Sequence, residues 1–410
     1  MTERPSRNCL ACISFKLKDF SLEYLMRTLI LIVVLCCCSA IAQANPTDSI
    51  PVLLTDTEIQ IECTEGINSM YNFDFKRADS QFRWLKGKYG WHPLPYFLLG
   101  LSQWWRIVPN IQNTQYDDAM LVYMDSTILV AENIFEHGSK VEGGFFLSAA
   151  YAFKGRLYAE RHAWRKAATA GKNAMKYLDY CRDHEEFGPE ILFGDALYNY
   201  YAVWIPENYP VLKPVMMFFR DGDKDLGLTQ LKEVANNAFF TRTEAQYFLM
   251  RIMANEENNK KAALFTSQYL HETFPKNAYF HRFYAQMLYS TGQHSKVEDV
   301  SLSIISKIDS SFIGYEQNSG RYAAFFLGEI NAHNDEPEIA EKYYKLCVKY
   351  GDEIGAQNKG YYLYSVLNIG RYAADRGEKE YAKEQFKKVK KLSGKKDRTY
   401  DLAKKYLKGL

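Results

Sequence analysis

A recurring spacing of small and aromatic residues constrains the fold of this chain more than any other feature of its sequence. Gly66 is followed twelve positions later by Ala78 and four positions after that by Phe82. The same spacing recurs at two further places, at Gly328, Ala340 and Tyr344 and at Gly370, Ala382 and Phe386. A residue with little or no side chain lets a second helix approach closely, and a neighbouring aromatic ring fills the remaining groove. The spacing therefore predicts antiparallel helix pairs and an all-α fold.

Turn and stop signals agree with helix pairs. Gly155 and Ala167 repeat the first two positions of the spacing. Gly292 and Gly377 stand where the chain must turn from one helix to the next, and glycine accepts the left-handed backbone that such a turn needs. Prolines cannot continue a helix, so Pro275 marks the end of a second helix. We expect about eight antiparallel hairpins over residues 56–395.

The pattern resembles the tetratricopeptide repeat family, whose units of about 34 residues show small residues, then alanine, then an aromatic residue and proline. Gly66 and Gly100 are 34 residues apart, although Gly328 and Gly370 are 42 apart. The resemblance, which is to exported bacterial proteins of this type, implies a right-handed α-solenoid. Stacked hairpins of this kind expose a concave surface lined by the first helix of each pair.

The predicted array is interrupted by an aromatic and proline-rich insert at residues 198–222. Three prolines, Pro206, Pro210 and Pro214, exclude a continuous helix there, and Asp223 is expected to cap the next one. The segment is also locally similar to the tetratricopeptide-39 family. Its aromatic residues either plug the array or form a partner-binding surface; the candidate positions are Tyr201, Trp204, Tyr209, Phe218 and Phe219.

Residues 1–44 are predicted to be a Sec signal peptide. Met26 and Arg27 lead into a short apolar run over residues 28–38, and small residues follow up to Ala44. The run is too short to span a membrane, which takes roughly 20 residues. Met26 is a possible true start, and cleavage after Ala44 leaves a linker over 45–55. Lipidation of a cysteine and an uncleaved anchor remain the alternatives. The expected location is the periplasm or the outer membrane.

Basic residues are concentrated at the C-terminal end. From Arg376 to Leu410 there are 13 Lys and Arg against 5 Asp and Glu, whereas the whole chain has a formal charge of +2. We predict a basic capping helix over residues 396–410. It is either a solvated face or a peripheral contact with an anionic membrane or an acidic partner. The overall charge gives no reason to expect nucleic acid.

Sequence signatures of catalysis and of metal or cofactor binding were not found. The chain has no phosphate-binding Gly-x4-Gly-Lys-Ser/Thr loop and no Gly-x-Ser-x-Gly elbow, and no His-Glu pair is followed by a second histidine at metal-binding spacing. Cys63, Cys181 and Cys347 are expected to be buried without disulfides. No catalytic residue, metal or cofactor is therefore predicted.

The adjacent residues Trp104 and Trp105 are the remaining candidates for partner binding, since an indole stacks well on a peptide or a sugar. Burial of at least one of them is the alternative. The function predicted is that of a non-catalytic exported scaffold that binds a protein or peptide on its concave surface. A carbohydrate- or nutrient-binding component of an outer-membrane uptake system is the second hypothesis.

Overall fold

The computed structural model describes residues 51–182, 184–210, 213 and 220–410. Seventeen α-helices and two short 3-10 helices run through these ranges, which contain no β-strand. The predicted all-α class is confirmed. The predicted signal peptide and the candidate residues Phe218 and Phe219 lie outside the described residues.

The described chain divides into two compact units, residues 51–258 and residues 259–410. The first unit contains α1 Thr57–Tyr71, α2 Phe75–Lys88, α3 Leu94–Ile107, α4 Asp117–His137, α5 Lys140–Glu160, α6 Trp164–Leu178, α7 Leu192–Asn208, α8 Lys224–Asn237 and α9 Arg242–Asn255. The second contains α10 Lys260–Thr273, α11 Ala278–Ser290, α12 His294–Asp309, α13 Gln317–His333, α14 Pro337–Glu353, α15 Gly360–Asp375, α16 Lys379–Leu392 and α17 Arg398–Gly409. The 3-10 helices, Asp179–Cys181 and Glu185–Glu190, lie between α6 and α7.

Consecutive helices pack against one another within both units. In the first pair, Lys88 at the end of α2 lies 2.5 Å from Glu62 in the first half of α1. Phe82, earlier in α2, lies against Gly66, later in α1. Positions along α2 therefore run in the opposite direction to those along α1, so the two helices form an antiparallel hairpin.

Aromatic rings cover the glycines of the recurring spacing. The three contacts are those of Phe82 on Gly66, Tyr344 on Gly328 and Phe386 on Gly370. The alanines between them, Ala78, Ala340 and Ala382, have no exposed surface. At Gly155 the approach is looser, because a Cβ atom there would lie 3.6 Å from the carbonyl oxygen of Ala167. The same close contact thus joins the two helices of three different pairs.

The first helices of successive pairs also pack side by side. In residues 51–258 this applies to α1, α3 and α5, and in residues 259–410 to α11, α13, α15 and α17. A stack of hairpins in which first helices contact first helices is the arrangement of helical repeats. Each unit therefore has a face formed by its first helices, which we call its first-helix face.

The turns inside the pairs place one residue in the left-handed backbone region. Gly292 and Gly377 do so with φ angles of 75° and 80°, as the sequence suggested. Three non-glycine residues take the corresponding position in other turns, namely Phe73, His162 and Asp335, with φ angles of 61°, 57° and 62°. The turn geometry therefore repeats even where glycine is absent.

The region predicted as an insert starts later than expected. Helix α7 continues to Asn208 and carries Pro206 in its last turn. A proline near the end of a helix blocks few hydrogen bonds, so α7 tolerates it. Asp223 caps α8, as predicted, by accepting a hydrogen bond from the backbone N–H of Leu226 at 2.9 Å. At the C-terminal end, α17 begins at Arg398.

Candidate functional site

Trp104 and Trp105 lie in the interior of the first unit, and neither has solvent-exposed surface (0%). The indole Nε1 of Trp105 donates a hydrogen bond to Oε1 of Glu244 at 2.7 Å, and the Tyr71 hydroxyl donates to the same oxygen at 3.3 Å. Glu244 belongs to α9, which therefore covers the surface of α1 and α3 at this point. Both tryptophans are core residues, which agrees with the burial alternative for this pair.

Next to Trp104, Trp105 and Glu244, the Tyr247 hydroxyl lies between two guanidinium groups. The Tyr247 hydroxyl oxygen accepts hydrogen bonds from Arg156 at 2.8 Å and from Arg251 at 2.9 Å. Burial acts to raise the pKa of Tyr247, but the two positive charges outweigh it and the pKa lies below its usual value. The Arg156 guanidinium also lies 4.5 Å from the centre of the Trp104 ring. Tyr247 of α9 is thus hydrogen-bonded to Arg156 of α5, which in turn lies against Trp104 of α3.

Glu244 is the acidic member of the cluster. Burial raises the pKa of its carboxyl group, although Arg156, Trp105 and Tyr71 all favour the ionised form. The cluster thereby connects α1, α3, α5 and α9 through charged and hydrogen-bonded groups that are shielded from water. The contacts of this cluster attach α9 to the first-helix face of residues 51–258. As a result, α9 covers the part of that face around Trp105.

Three aromatic candidates lie in the second half of α7 or just beyond its end. Trp204 is buried, with 7% of its surface exposed, whereas Tyr201 and Tyr209 are half-buried. The Trp204 ring contacts both, at centroid distances of 6.1 Å to Tyr201 and 5.7 Å to Tyr209. The Tyr201 hydroxyl donates to Glu256 at 3.4 Å, and burial raises the pKa of Glu256 to about 7. The burial of Trp204 agrees with the plug interpretation of this segment.

Tyrosine and arginine side chains meet on the first-helix face of residues 259–410. We call this group the tyrosine–arginine face; its members are Tyr279 and Arg282 of α11, Arg321 and Tyr322 of α13, and Tyr361 of α15. Both guanidinium groups approach the Tyr322 ring, Arg282 at 5.5 Å and Arg321 at 4.9 Å from its centre. Arg282 also lies 5.2 Å from the Tyr279 ring and Arg321 lies 5.9 Å from the Tyr361 ring. The three tyrosines are half-buried.

The two arginines of this face are deeply placed. Arg282 exposes 7% of its surface and Arg321 exposes 6%. Arg282 donates to the Ser319 hydroxyl at 3.1 Å, and burial, with the charge of Arg321 adding to it, lowers the pKa of Arg282. Arg321 donates to the Asn318 amide oxygen at 3.5 Å, and its Nε has no hydrogen-bond partner in the described chain. Sequence reasoning did not single out either arginine; the available signal was a cation within an apolar first helix.

A histidine pair lies elsewhere in the second unit. The rings of His271 and His281 stack with centroids 4.2 Å apart, and the Tyr315 hydroxyl lies 2.8 Å from Nδ1 of His281. Lys307 donates to the same hydroxyl at 3.2 Å. Burial lowers the pKa of His271 to about 4 and that of His281 to about 2. Both rings are therefore neutral at physiological pH.

Other reactive groups are isolated from one another. Cys63, Cys181 and Cys347 are buried free thiols, and burial raises the pKa of Cys63 to about 12 and that of Cys347 to about 11. In the described ranges, no group of three histidine, cysteine or acidic residues has an arrangement that could hold a metal ion. Nor does any helix there have the length and apolar character needed to cross a membrane.

Neither the protein-family models nor the curated protein sequences contain a match to this chain.

Proposed function

We propose that this chain is a non-catalytic helical-repeat scaffold that binds a segment of another protein on the tyrosine–arginine face of residues 259–410. The observation that carries the proposal is the placement of three half-buried tyrosines around two arginines on adjacent first helices. Tyrosine and arginine are enriched among the residues that contribute most to protein–protein binding. Rigid helices hold them in place, which lowers the entropy that is lost on binding.

The tyrosine–arginine face is only a part of the binding surface that the sequence predicted. The sequence predicted a binding surface along the first helices of the whole array, but α9 covers the corresponding face around Trp105 through Glu244. The first helices α11, α13 and α15 carry the remaining concentration of tyrosine and arginine side chains. We therefore place partner binding in residues 259–410.

The finer architecture and the location in the cell are part of the same proposal. We infer a right-handed solenoid of the tetratricopeptide type, supported by the antiparallel pairs and by the side-by-side first helices. Export to the periplasm or the outer membrane rests on the signal-like sequence up to Ala44. A peripheral contact with an anionic membrane is supported by the exposed lysines of α16 and α17. The buried residues of α16 are apolar and include Phe386 and Val389.

Carbohydrate binding is the second hypothesis and favours a different surface. A sugar-binding site generally combines exposed aromatic rings with a compact pocket, whereas the two buried guanidinium groups of this face favour a ligand that carries negative charge. A glycan array with the purified protein tests this alternative directly, since a specific glycan hit would support it over protein binding.

Affinity capture from envelope fractions of the source cell tests protein binding. The protein is used as bait in three forms: unchanged, with Tyr322→Ala, and with Tyr381→Ala as a matched control. Tyr381 is on α16 and is 41% exposed. We expect one protein to be captured repeatedly by the unchanged and control baits and to be lost with Tyr322→Ala, while circular dichroism shows that all three remain helical. Equal capture by all three would contradict the proposal.

A further inference from the structure

Arg321 is a buried cation without a carboxylate partner. It exposes 6% of its surface, and its single hydrogen bond within the described chain is the contact with Asn318 at 3.5 Å, which is at the limit of such a bond. Its Nε has no acceptor. Other buried or half-buried arginines of this protein are paired with acids: Arg106 lies 2.9 Å from Asp79, and Arg161 lies 2.5 Å from Asp117. Arg321 differs from these two arginines, because no carboxylate of the described chain forms an ion pair with it.

A buried charge normally has a counter-charge, because removing an ion from water is unfavourable unless another charge or several hydrogen bonds compensate for it. The neighbours of Arg321 do not supply one. They include the rings of Tyr322 and Tyr361, whose faces stabilise a cation only modestly, and the guanidinium group of Arg282, which approaches the same Tyr322 ring. Two guanidinium groups thus approach one half-buried ring, and Nε of Arg321 has no acceptor in the described chain, although the carboxylate of Glu316 is near enough to act on the charge of Arg282.

We propose that Arg321, with Arg282 beside it, forms an oxyanion-binding subsite on the tyrosine–arginine face, and that its ligand group is a carboxylate or a phosphate. The planar guanidinium fork matches both groups, since it presents parallel N–H donors to two oxygens. Tyr322 and Tyr361 flank the bound group and limit the access of water, which strengthens the ionic contact. This inference depends on the proposed binding face, because the oxyanion would belong to the segment that binds there.

Thermal unfolding with simple oxyanions tests the subsite without the partner protein. The unfolding midpoint is measured in sodium chloride and in sodium phosphate at equal ionic strength, for the unchanged protein, Arg321→Met and the control Arg371→Met. Arg371 is an exposed arginine of α15. We expect phosphate to raise the midpoint of the unchanged protein and of the control but not that of Arg321→Met. In chloride alone, Arg321→Met should be at least as stable as the unchanged protein, because it removes an uncompensated charge.

The source of the oxyanion is distinguished with two capped peptides, hexaglutamate and hexaglutamine. Tighter binding of hexaglutamate than of phosphate, weakened about tenfold or more by Arg321→Met, identifies a peptide carboxylate. Binding of phosphate but not of hexaglutamate identifies a phosphate ligand. The subsite is refuted if phosphate and hexaglutamate affect all three proteins equally, or if Arg321→Met is strongly destabilised in chloride.

Failure of the oxyanion subsite and failure of the proposed scaffold function give different experimental results. If the protein partner is captured equally well by the unchanged protein and by Arg321→Met, while Tyr322→Ala abolishes capture, the binding face stands and the oxyanion subsite fails. If phosphate protects in the way expected but Tyr322→Ala has no effect on any captured protein, the subsite stands and the scaffold proposal fails.

Discussion

The ring of Tyr344 occupies the space beside Gly328 that any larger residue would need for its first side-chain carbon. A Cβ atom at Gly328 would lie 2.6 Å from Cε1 of Tyr344. Because the ring packs against the backbone of the facing helix, α13 and α14 interlock at this point rather than merely lying next to each other. The same relationship at Gly66 and Gly370 explains why one sequence spacing specifies three helix pairs.

Replacing Gly328 with alanine should therefore destabilise the protein. Forcing extra atoms into a packed interface costs about 1–3 kcal/mol. The measurement is urea-induced unfolding followed by circular dichroism. Gly87→Ala is the control: Gly87 is exposed on α2 with no atom within 4 Å of its Cβ position. Alanine there should leave stability unchanged or raise it by up to about 1 kcal/mol. Equal stability of the two variants would show that the ring contact is not required.

The sequence was sufficient to predict helix pairs because their contacts are local. Gly328 and Tyr344 are 16 residues apart, and periodic spacing reveals such contacts directly. The attachment of α9 to α3 joins residues 139 apart in the chain, Trp105 and Glu244. No local pattern encodes that contact, so the tryptophans appeared to be surface candidates although they are completely buried.

The turns and the arginines show a second reason for incomplete prediction. Gly292 and Gly377 identified two turns by residue type, but Asp335 adopts the same backbone with an ordinary side chain. In the same way, the apolar sequence around Arg321 hints that this cation is buried, but only the packing of α15 beside it shows which groups it meets. The type of a residue predicts its local structure only where a single type fits. The positions of Asp335 and Arg321 accept several types.

The left-handed turn positions should differ in their tolerance of side chains. Gly377→Ala introduces a Cβ atom at a φ of 80° and should destabilise the protein by about 1 kcal/mol or more. Asp335→Gly relieves the corresponding strain at a φ of 62° and should be neutral or slightly stabilising, since the flexibility of glycine in the unfolded chain offsets part of the gain. Thermal unfolding of both variants tests this pair. The opposite order of stability would contradict the turn assignment.

Removing the carboxylate of Glu244 should be among the most damaging single changes in the first unit. Glu244→Ala leaves the buried Trp105 indole and Tyr71 hydroxyl without their acceptor, and each buried donor left unsatisfied costs about 1–3 kcal/mol. Glu65→Ala is the control, because Glu65 pairs with Arg77 at the surface and exposed pairs contribute only about 0–1 kcal/mol. Chemical denaturation measures the free energy of unfolding of both variants. A loss below about 1 kcal/mol for Glu244→Ala would mean that the cluster does not hold α9.

The stacked histidines should make the second unit less stable as the pH falls. Unfolded histidine takes up a proton near pH 6.5, whereas the pKa values of His271 and His281 in the folded state are about 4 and about 2. The unfolded state therefore binds more protons below pH 6.5, and each histidine lowers the free energy of unfolding by about 1.4 kcal/mol per pH unit until its folded pKa is reached. Glu256, with a pKa raised to about 7, has the opposite dependence.

Comparing the unchanged protein with histidine variants separates the effect of the histidines on pH-dependent stability from that of Glu256. Denaturation midpoints are measured between pH 7.5 and pH 5 for the unchanged protein and for a variant with His271→Gln and His281→Gln. The variant should lose less stability than the unchanged protein over this interval, while His137→Gln, at an exposed position of α4, should match the unchanged protein. Parallel pH profiles for the double variant and the unchanged protein would show that the pair is not buried in its neutral form.

Site-specific photocrosslinking tests the central claim most directly, because it reports which surface contacts a partner. A photoreactive amino acid is placed at Tyr322 on the tyrosine–arginine face or at the exposed control position Tyr381, and the protein is irradiated in intact source cells. We predict a discrete crosslinked protein from position 322 that is absent from position 381. Crosslinks to the same protein from position 381 alone, or no protein adduct from position 322 while the folded protein is present, would contradict it.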